Sequence, residues 1–261
     1  MSDRSEPADD TGPQSVIIDT DTAGDDSQAL LLAATSDRVE IEGVTICAGN
    51  VEFDYQVENA KYTLDVHGEG GLGGSLFPDT GIESGDRHGA DFIVDAARER
   101  PGELTLVCIA PLTNVALALR KEPELGDLLD SVWVMGGNVN CLGNVTPAAE
   151  YNFWVDPDAA KLVLNELDVT LFDWGLTLRD TVFDTETLAQ VEATDTPYAD
   201  FYSEITTSVR AFNRESFGED ITTQPDSAVV AGLIDPELIR GRRGRRRRRR
   251  TPDRSGRVAR R

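Results

Sequence analysis

Val16-Ile17-Ile18-Asp19-Thr20-Asp21-Thr22-Ala23-Gly24-Asp25-Asp26 is the stretch that decides how this chain is read. An apolar, β-branched run stops at a Thr- and Gly-containing turn that carries four carboxylates, and apolar residues at helical spacing (Ala29, Leu30, Leu32, Ala33) follow at once. The order is strand, acidic loop, helix. One Asp would be enough to cap the helix start and complement its dipole. Asp19, Asp21, Asp25 and Asp26 together exceed that need, and like charges so close repel unless a cation or protons absorb them. Carboxylates gathered at the carboxyl end of a strand are therefore a proposal for a hard metal, placed where open α/β sheets have their crevice.

Outward from that stretch, residues 39–47 read as a second strand ending in Ala48-Gly49-Asn50, residues 55–66 as a helix, and the Gly-rich segment 68–89 as a long loop. Helix 91–98, strand 104–109, helix 111–120 begun by Pro111, and strand 132–135 ending in Gly136-Gly137-Asn138 come next. A polar loop 138–152, helix 157–165, strand 169–173, helix 198–217 and a helix running from Asp226 to Leu233 complete the series. This alternation predicts an α/β fold: a mostly parallel central sheet with helices on both faces, open and Rossmann-like in layout. Gly136-Gly137 belongs to neither a G-x-G-x-x-G nor a phosphate-loop pattern, which excludes a dinucleotide cofactor of the Rossmann kind.

With 261 residues and 39% hydrophobic content, the chain is long enough for one large domain with a real core. No apolar run approaches a membrane span, and residues 1–14 are polar and acidic where a signal peptide needs a basic and then an apolar start, so a cytoplasmic protein is predicted. Cys47, Cys108 and Cys141 are odd in number and widely spaced, as reduced thiols are. The net charge is −22, yet residues 240–261 hold 13 Arg against the single Asp253, which leaves residues 1–239 with 12 basic and 46 acidic side chains, a balance of −34. Only Lys61, Lys121 and Lys161 are lysines. Acid spread along the whole chain with so little Lys is the pattern of a halophilic protein, whose self-repulsion molar salt screens. The domain plan is a disordered acidic leader over 1–14, a domain over 15–240 and an Arg-rich disordered tail over 241–261.

With these pieces placed, the sequence resembles the inosine-uridine preferring nucleoside hydrolase family, calcium enzymes that cleave the N-glycosidic bond of ribonucleosides. The resemblance rests on residues 19–26, Gly49-Asn50, Ala110-Pro111-Leu112-Thr113-Asn114, Met135-Gly136-Gly137, Asn144, and Glu150-Tyr151-Asn152 leading to Asp156-Pro157-Asp158-Ala159-Ala160. It implies Ca²⁺ ligands at Asp21, Asp26, the Ile109 carbonyl and Asp226, all oxygen donors as calcium prefers. It further implies Asp21 as general base, Asp25, Asn50 and Asn152 on the ribose 2′- and 3′-hydroxyls, Asn144 and Glu150 on the 5′-hydroxyl, and Met135 packed under the sugar. The implied partner is a small-molecule ribonucleoside, and the implied assembly a homo-oligomer, dimer or tetramer. Each polar residue also has a plain structural reading: the Asn residues as turn formers, Glu150 as a solvated charge, Met135 as core.

The sequence departs from the family in three places. Pro225 stands where a His commonly precedes the last calcium ligand, and Gly175 where an Asp is usual. Trp154 and Trp174 are candidates to stack on the nucleobase, with a buried core aromatic as the plain reading of each, and His88 in the family-like His88-Gly89-Ala90-Asp91 is expected to hold a loop. The tail with its six-Arg run, residues 245–250, replaces the family's further strands and closing helix; a shifted reading frame explains this better than a nucleic-acid-binding arm, which lacks interleaved aromatics. Two other functions compete: a nucleoside- or ribose-binding relic that no longer hydrolyses, and a phosphatase using Asp19 as nucleophile with Asp21 beside it.

Overall fold

Strand β1 (Gln14–Thr20) is buried on both faces from Ser15 onward, as only a central strand covered on two sides can be. It begins at Gln14, one residue before the expected start, and Gln14 pairs with Val39 and donates from Nε2 to Thr105 Oγ1 at 2.7 Å. The computed structural model describes residues 12–68 and 81–239, so the predicted tail, most of the leader and most of the Gly-rich loop lie outside the described residues. Beside β1 stand β2 (Val39–Ile46) on one side and β3 (Thr105–Cys108) on the other, followed by β4 (Ser131–Met135) and β5 (Val169–Phe172). The sheet is entirely parallel, in the order β2-β1-β3-β4-β5. The direction of winding reverses between β1 and β3. Connections leave the carboxyl ends of these two strands in opposite directions and open a crevice there.

Helix α1 (Gly24–Ala34) joins β1 to β2, and α2 (Phe53–Gly68) and α3 (Gly89–Glu99) lie between β2 and β3. Helix α4 (Thr113–Lys121) and the single turn α5 (Leu125–Leu128) precede β4; α6 (Tyr151–Val155) and α7 (Pro157–Glu166) precede β5. Beyond the sheet come α8 (Trp174–Asp180), β6 (Val182–Phe183), α9 (Thr185–Glu192), α10 (Pro197–Phe217), β7 (Thr222–Thr223) and α11 (Pro225–Ile234). The strands' alternation divides the core. Val16, Ile18, Val107, Ile109 and Met135 pack with Ala29, Leu30, Val229 and Val230 of α1 and α11. Ile17, Leu106, Cys108, Val132 and Val134 pack with Ile93, Val115 and Val163 of α3, α4 and α7. Each such fully buried aliphatic side chain contributes about 1.5–3 kcal/mol, and a slip of one residue would exchange the two faces, so the register is fixed from both sides.

Local chemistry starts and stops the helices as the sequence suggests. His88 Nδ1 accepts from Ala90 N–H at the head of α3, the loop-holding role expected of it. Asp156 Oδ1 accepts from Ala159 N–H at the start of α7, whose first residue is Pro157. Gly218 closes α10 with φ +74°, a left-handed conformation that favours glycine. The helix expected from Pro111 instead begins at Thr113, because Leu112, at ψ 20°, forms the non-helical cap. The loop predicted to end at Asn152 is shortened by α6. All three cysteines are free, Cys47 and Cys108 buried and Cys141 half-buried.

Candidate active site

At the end of β1 successive carboxylates have different surroundings. Asp19 is fully buried; its Oδ1 accepts from Thr45 Oγ1 at 2.5 Å and Asn114 Nδ2 at 2.8 Å, and burial pushes its pKa up to about 6. Its Oδ2 has no hydrogen-bond partner, and Asp19 belongs neither to the cavity lining nor to the carboxylate trio of Asp25, Asp26 and Asp226, so the Asp19 phosphatase reading is not favoured. Asp21, two residues on, is also buried. Its Oδ2 accepts from Asn50 N–H at 2.7 Å, while its Oδ1 has no partner. Gly49 permits this approach: a Cβ there would lie 2.0 Å from Asp21 Oδ2. The Gly49-Asn50 pair thus seats the Asp21 carboxylate.

The first turn of α1 carries Asp25 and Asp26, the first turn of α11 carries Asp226, and the two helices pack together. One carboxylate oxygen from each of these three residues lies within 4.8 Å of the others. At an effective dielectric of about 20, each ionised pair at that distance costs about 3 kcal/mol. Three pairs would then consume much of the roughly 5–15 kcal/mol that holds a domain together. Burial followed by the charge of Asp25 pushes Asp26 up to about 7, and burial followed by the charges of Asp26 and Asp25 pushes Asp21 up to about 9. Burial and the same neighbours drive Asp226 well above the usual carboxylate range, and burial raises Asp25 as well. Asp26 also has a structural role, accepting from Thr20 Oγ1 at 2.6 Å and Ala23 N–H at 3.0 Å. The donors are all oxygens, and beside them the buried Asp21 Oδ1 has no hydrogen-bond partner, so the residues present fit a hard cation.

A cavity of about 290 Å³ opens beside this cluster. Of the ten residues singled out from the sequence, Asp25, Asn50, Ile109, Met135, Asn144, Glu150, Asn152 and Asp226 line it; Asp21 and Asp26 lie outside its lining. The trio of carboxylates therefore includes Asp25, expected on the ribose, and not Asp21, expected on the cation. Glu150 is 1% exposed, so it is no solvated charge: Oε2 accepts from Gly137 N–H at 2.7 Å and Oε1 from Asn152 N–H at 2.9 Å, capping α6. Asn152 Nδ2 reaches the Ile109 and Met135 carbonyls at 3.4 and 3.3 Å and Met135 Sδ at 3.5 Å, joining the carboxyl ends of β3 and β4. Asn144 is exposed and its Oδ1 accepts from Tyr151 N–H at 2.9 Å.

Val145, Tyr151, Trp174, Thr223 and Pro225 complete the lining of the cavity. Trp174 lines the cavity, whereas Trp154 is 52% exposed and meets the Tyr151 ring at 6.4 Å outside that lining. Val145, Tyr151 and Thr223 were not among the expected site residues. Tyr151 sits between two residues that were, a signal available in the sequence; Thr223 is brought in by the antiparallel pairing of β6 and β7, which no sequence pattern announces. Gln224 and Tyr202 brace that segment, with Gln224 Nε2 donating to Tyr202 Oη at 2.9 Å and Thr222 Oγ1 at 2.8 Å.

A parallel sheet with an acid-lined cavity at its switch point defines an enzyme of the open α/β class acting on a small polar molecule. The sequence profile described as "Inosine-uridine preferring nucleoside hydrolase" matches residues 16–66 and 61–257, and the chain belongs to that family, whose members are N-glycosidases. A pyrimidine-specific ribonucleoside hydrolase of Photobacterium profundum is 31% identical, over 86% of this chain and 81% of its own length. A probable uridine nucleosidase of Oryza sativa subsp. japonica is 29% identical, over 88% and 77%. Among solved structures, a purine-preferring ribonucleoside hydrolase from Gardnerella vaginalis superposes with a TM-score of 0.75 at 27% identity, covering 86% of this chain and 81% of that one. A plant nucleoside hydrolase superposes with a TM-score of 0.79 at 25% identity, covering 87% and 80%.

Proposed function

We propose that this chain hydrolyses the N-glycosidic bond of ribonucleosides to nucleobase and ribose with Ca²⁺ as cofactor, in nucleoside salvage. The observation that carries this reading is the convergence of Asp25, Asp26 and Asp226 beside a cavity lined by eight of the ten residues the family resemblance selects. Asp21, Asp26, Asp226 and the Ile109 carbonyl would hold a calcium ion, which when bound would supply Lewis acidity for the attacking water and a mooring for the ribose 2′- and 3′-hydroxyls. Asp21 takes the proton from that water: its Oδ2 is held by Asn50 N–H and its Oδ1 is uncommitted. As the bond breaks, positive charge grows on the ribose, and the surrounding carboxylates and the oriented Asn152 and Asn50 amides stabilise it. A site that hydrogen-bonds each hydroxyl discriminates against deoxyribose, which leaves buried partners unpaired.

The acidic balance of residues 1–239 supports assays in molar salt, and among the described residues no helix is long and apolar enough to cross a membrane. Cytoplasmic, halophilic operation belongs to the same proposal. Base or reducing-sugar release from a nucleoside panel in molar KCl, with and without chelator, is the test. Chelator-sensitive turnover is expected; tight nucleoside binding with no product after long incubation would leave the binding relic standing instead.

A further inference from the structure

A purine or pyrimidine leaves poorly as an anion, so a proton must reach the base as the glycosidic bond breaks. The whole chain has two histidines. His88 uses Nδ1 to hold the head of α3, which packs on the sheet face opposite α1 and α11. His67 is the penultimate residue of α2, about 20 Å by helical rise from that helix's start beside cavity residue Asn50. Position 225, at the cavity itself, is proline and carries no side-chain proton. Among the described residues no imidazole lines the cavity.

We propose that Tyr151 is the proton donor to the departing nucleobase. This rests on the hydrolase reading above and adds a catalytic residue to it. Tyr151 lines the cavity, between Glu150 and Asn152 in the chain. Its backbone is pinned by Asn144 and its ring is flanked by Trp154 at an interplanar angle of 35°. No described group hydrogen-bonds its hydroxyl. Of the other side chains lining the cavity, Glu150 is committed to the backbone N–H groups of Gly137, Asn152 and Phe153, Asp25 and Asp226 belong to the carboxylate trio, and the Thr223 hydroxyl and Trp174 indole are far weaker acids than a phenol, whose ordinary pKa is about 10. A phenol at its ordinary value of about 10 is in the acid form at neutral pH. The step balances: the water oxygen bonds to C1′ as its proton passes to Asp21, the C1′–N bond breaks with its electron pair leaving on the base, and the base takes the Tyr151 proton. Solvent then returns a proton to the phenolate as Asp21 releases one.

Tyr151→Phe keeps the ring and removes the proton, and two substrates divide the outcomes. On nucleosides kcat should fall about 10²- to 10⁴-fold, the range for a general acid. On 4-nitrophenyl β-D-ribofuranoside, whose phenolate departs unprotonated, turnover should be unchanged, and this also reports that the variant is folded. Equal losses on both substrates, or no loss on either, would overturn the proposal. A second measurement needs no variant: across ribosides of rising leaving-group basicity, the wild-type protein should hold its turnover nearly constant, and a steep decline would also overturn it. Wild-type protein active on the nitrophenyl riboside but on no nucleoside overturns the Tyr151 role alone. Wild-type protein inert toward both overturns the hydrolase reading and the proposal with it.

Discussion

Two clusters of charge in this molecule behave oppositely. At the far end of α10, Arg210 bonds both oxygens of Asp220 at 2.8 Å and also reaches Glu192 at 2.7 Å, while Arg214 adds a contact to Asp220 at 3.0 Å. With a guanidinium on its carboxylate, Asp220 is held down at about 2. At the carboxyl end of β1, burial and neighbouring acids drive Asp21, Asp26 and Asp226 upward, and no described basic side chain is paired with them. The first cluster completes its own electrostatics, a surface clasp of modest worth. The second requires charge from outside the chain, which is the physical meaning of a cation site.

The contrast can be broken most severely at Asp226. Asp226→Asn should abolish nucleoside turnover and weaken calcium and substrate binding together, yet raise the melting temperature in chelator, because it removes a like charge from the cluster. Calorimetry and thermal unfolding with and without Ca²⁺ would show this. Asp21→Asn separates binding from chemistry: kcat should fall by about 10²–10⁴, the contribution of a general base, with calcium affinity largely kept. Near wild-type kcat would move the base elsewhere in the acidic loop, to Asp25 first.

A third test uses pH. Where the folded pKa is raised above the ordinary 3.8, as for Asp19, Asp21 and Asp26, the folded chain holds protons that the unfolded chain has lost, so stability declines as pH rises. In chelator, urea midpoints should therefore fall from about pH 6 to pH 9. Calcium at a hundredfold excess over its dissociation constant should add about 2.7 kcal/mol and flatten that decline. Asp220 has the opposite sign: its folded pKa is depressed, so its contribution is present above the ordinary 3.8 and is lost as pH falls toward 2. Arg210→Met should remove that acid-side loss and leave the alkaline decline untouched, the smallest of these effects.

Much of this was legible in the sequence wherever a residue's role is local. The strand, acidic loop and helix of residues 16–33 follow from period and charge, and five strands at the expected places follow from apolar runs between turns. Glu150 and Asn152 could be selected as site residues through the family resemblance. The backbone N–H groups that Glu150 caps, and the join of β3 to β4 through Asn152, depend on distant strand ends meeting. After β5 the long helices α10 and α11 were legible, but the short elements between and before them were not, for a physical reason. Strands β6 and β7 have two residues each, too few to show a period, and α9 buries only Leu188, so it has almost no apolar face to recognise. Thr223 was lost with them.

The central claim is that the cluster of Asp25, Asp26 and Asp226 with Asp21 works through a cation brought in from solution. Reducing-sugar release from a ribonucleoside by metal-stripped protein in molar KCl, before and after Ca²⁺ is returned, tests it most directly. The account predicts no turnover in the stripped protein and recovery with calcium; full turnover in chelator without added metal would contradict it.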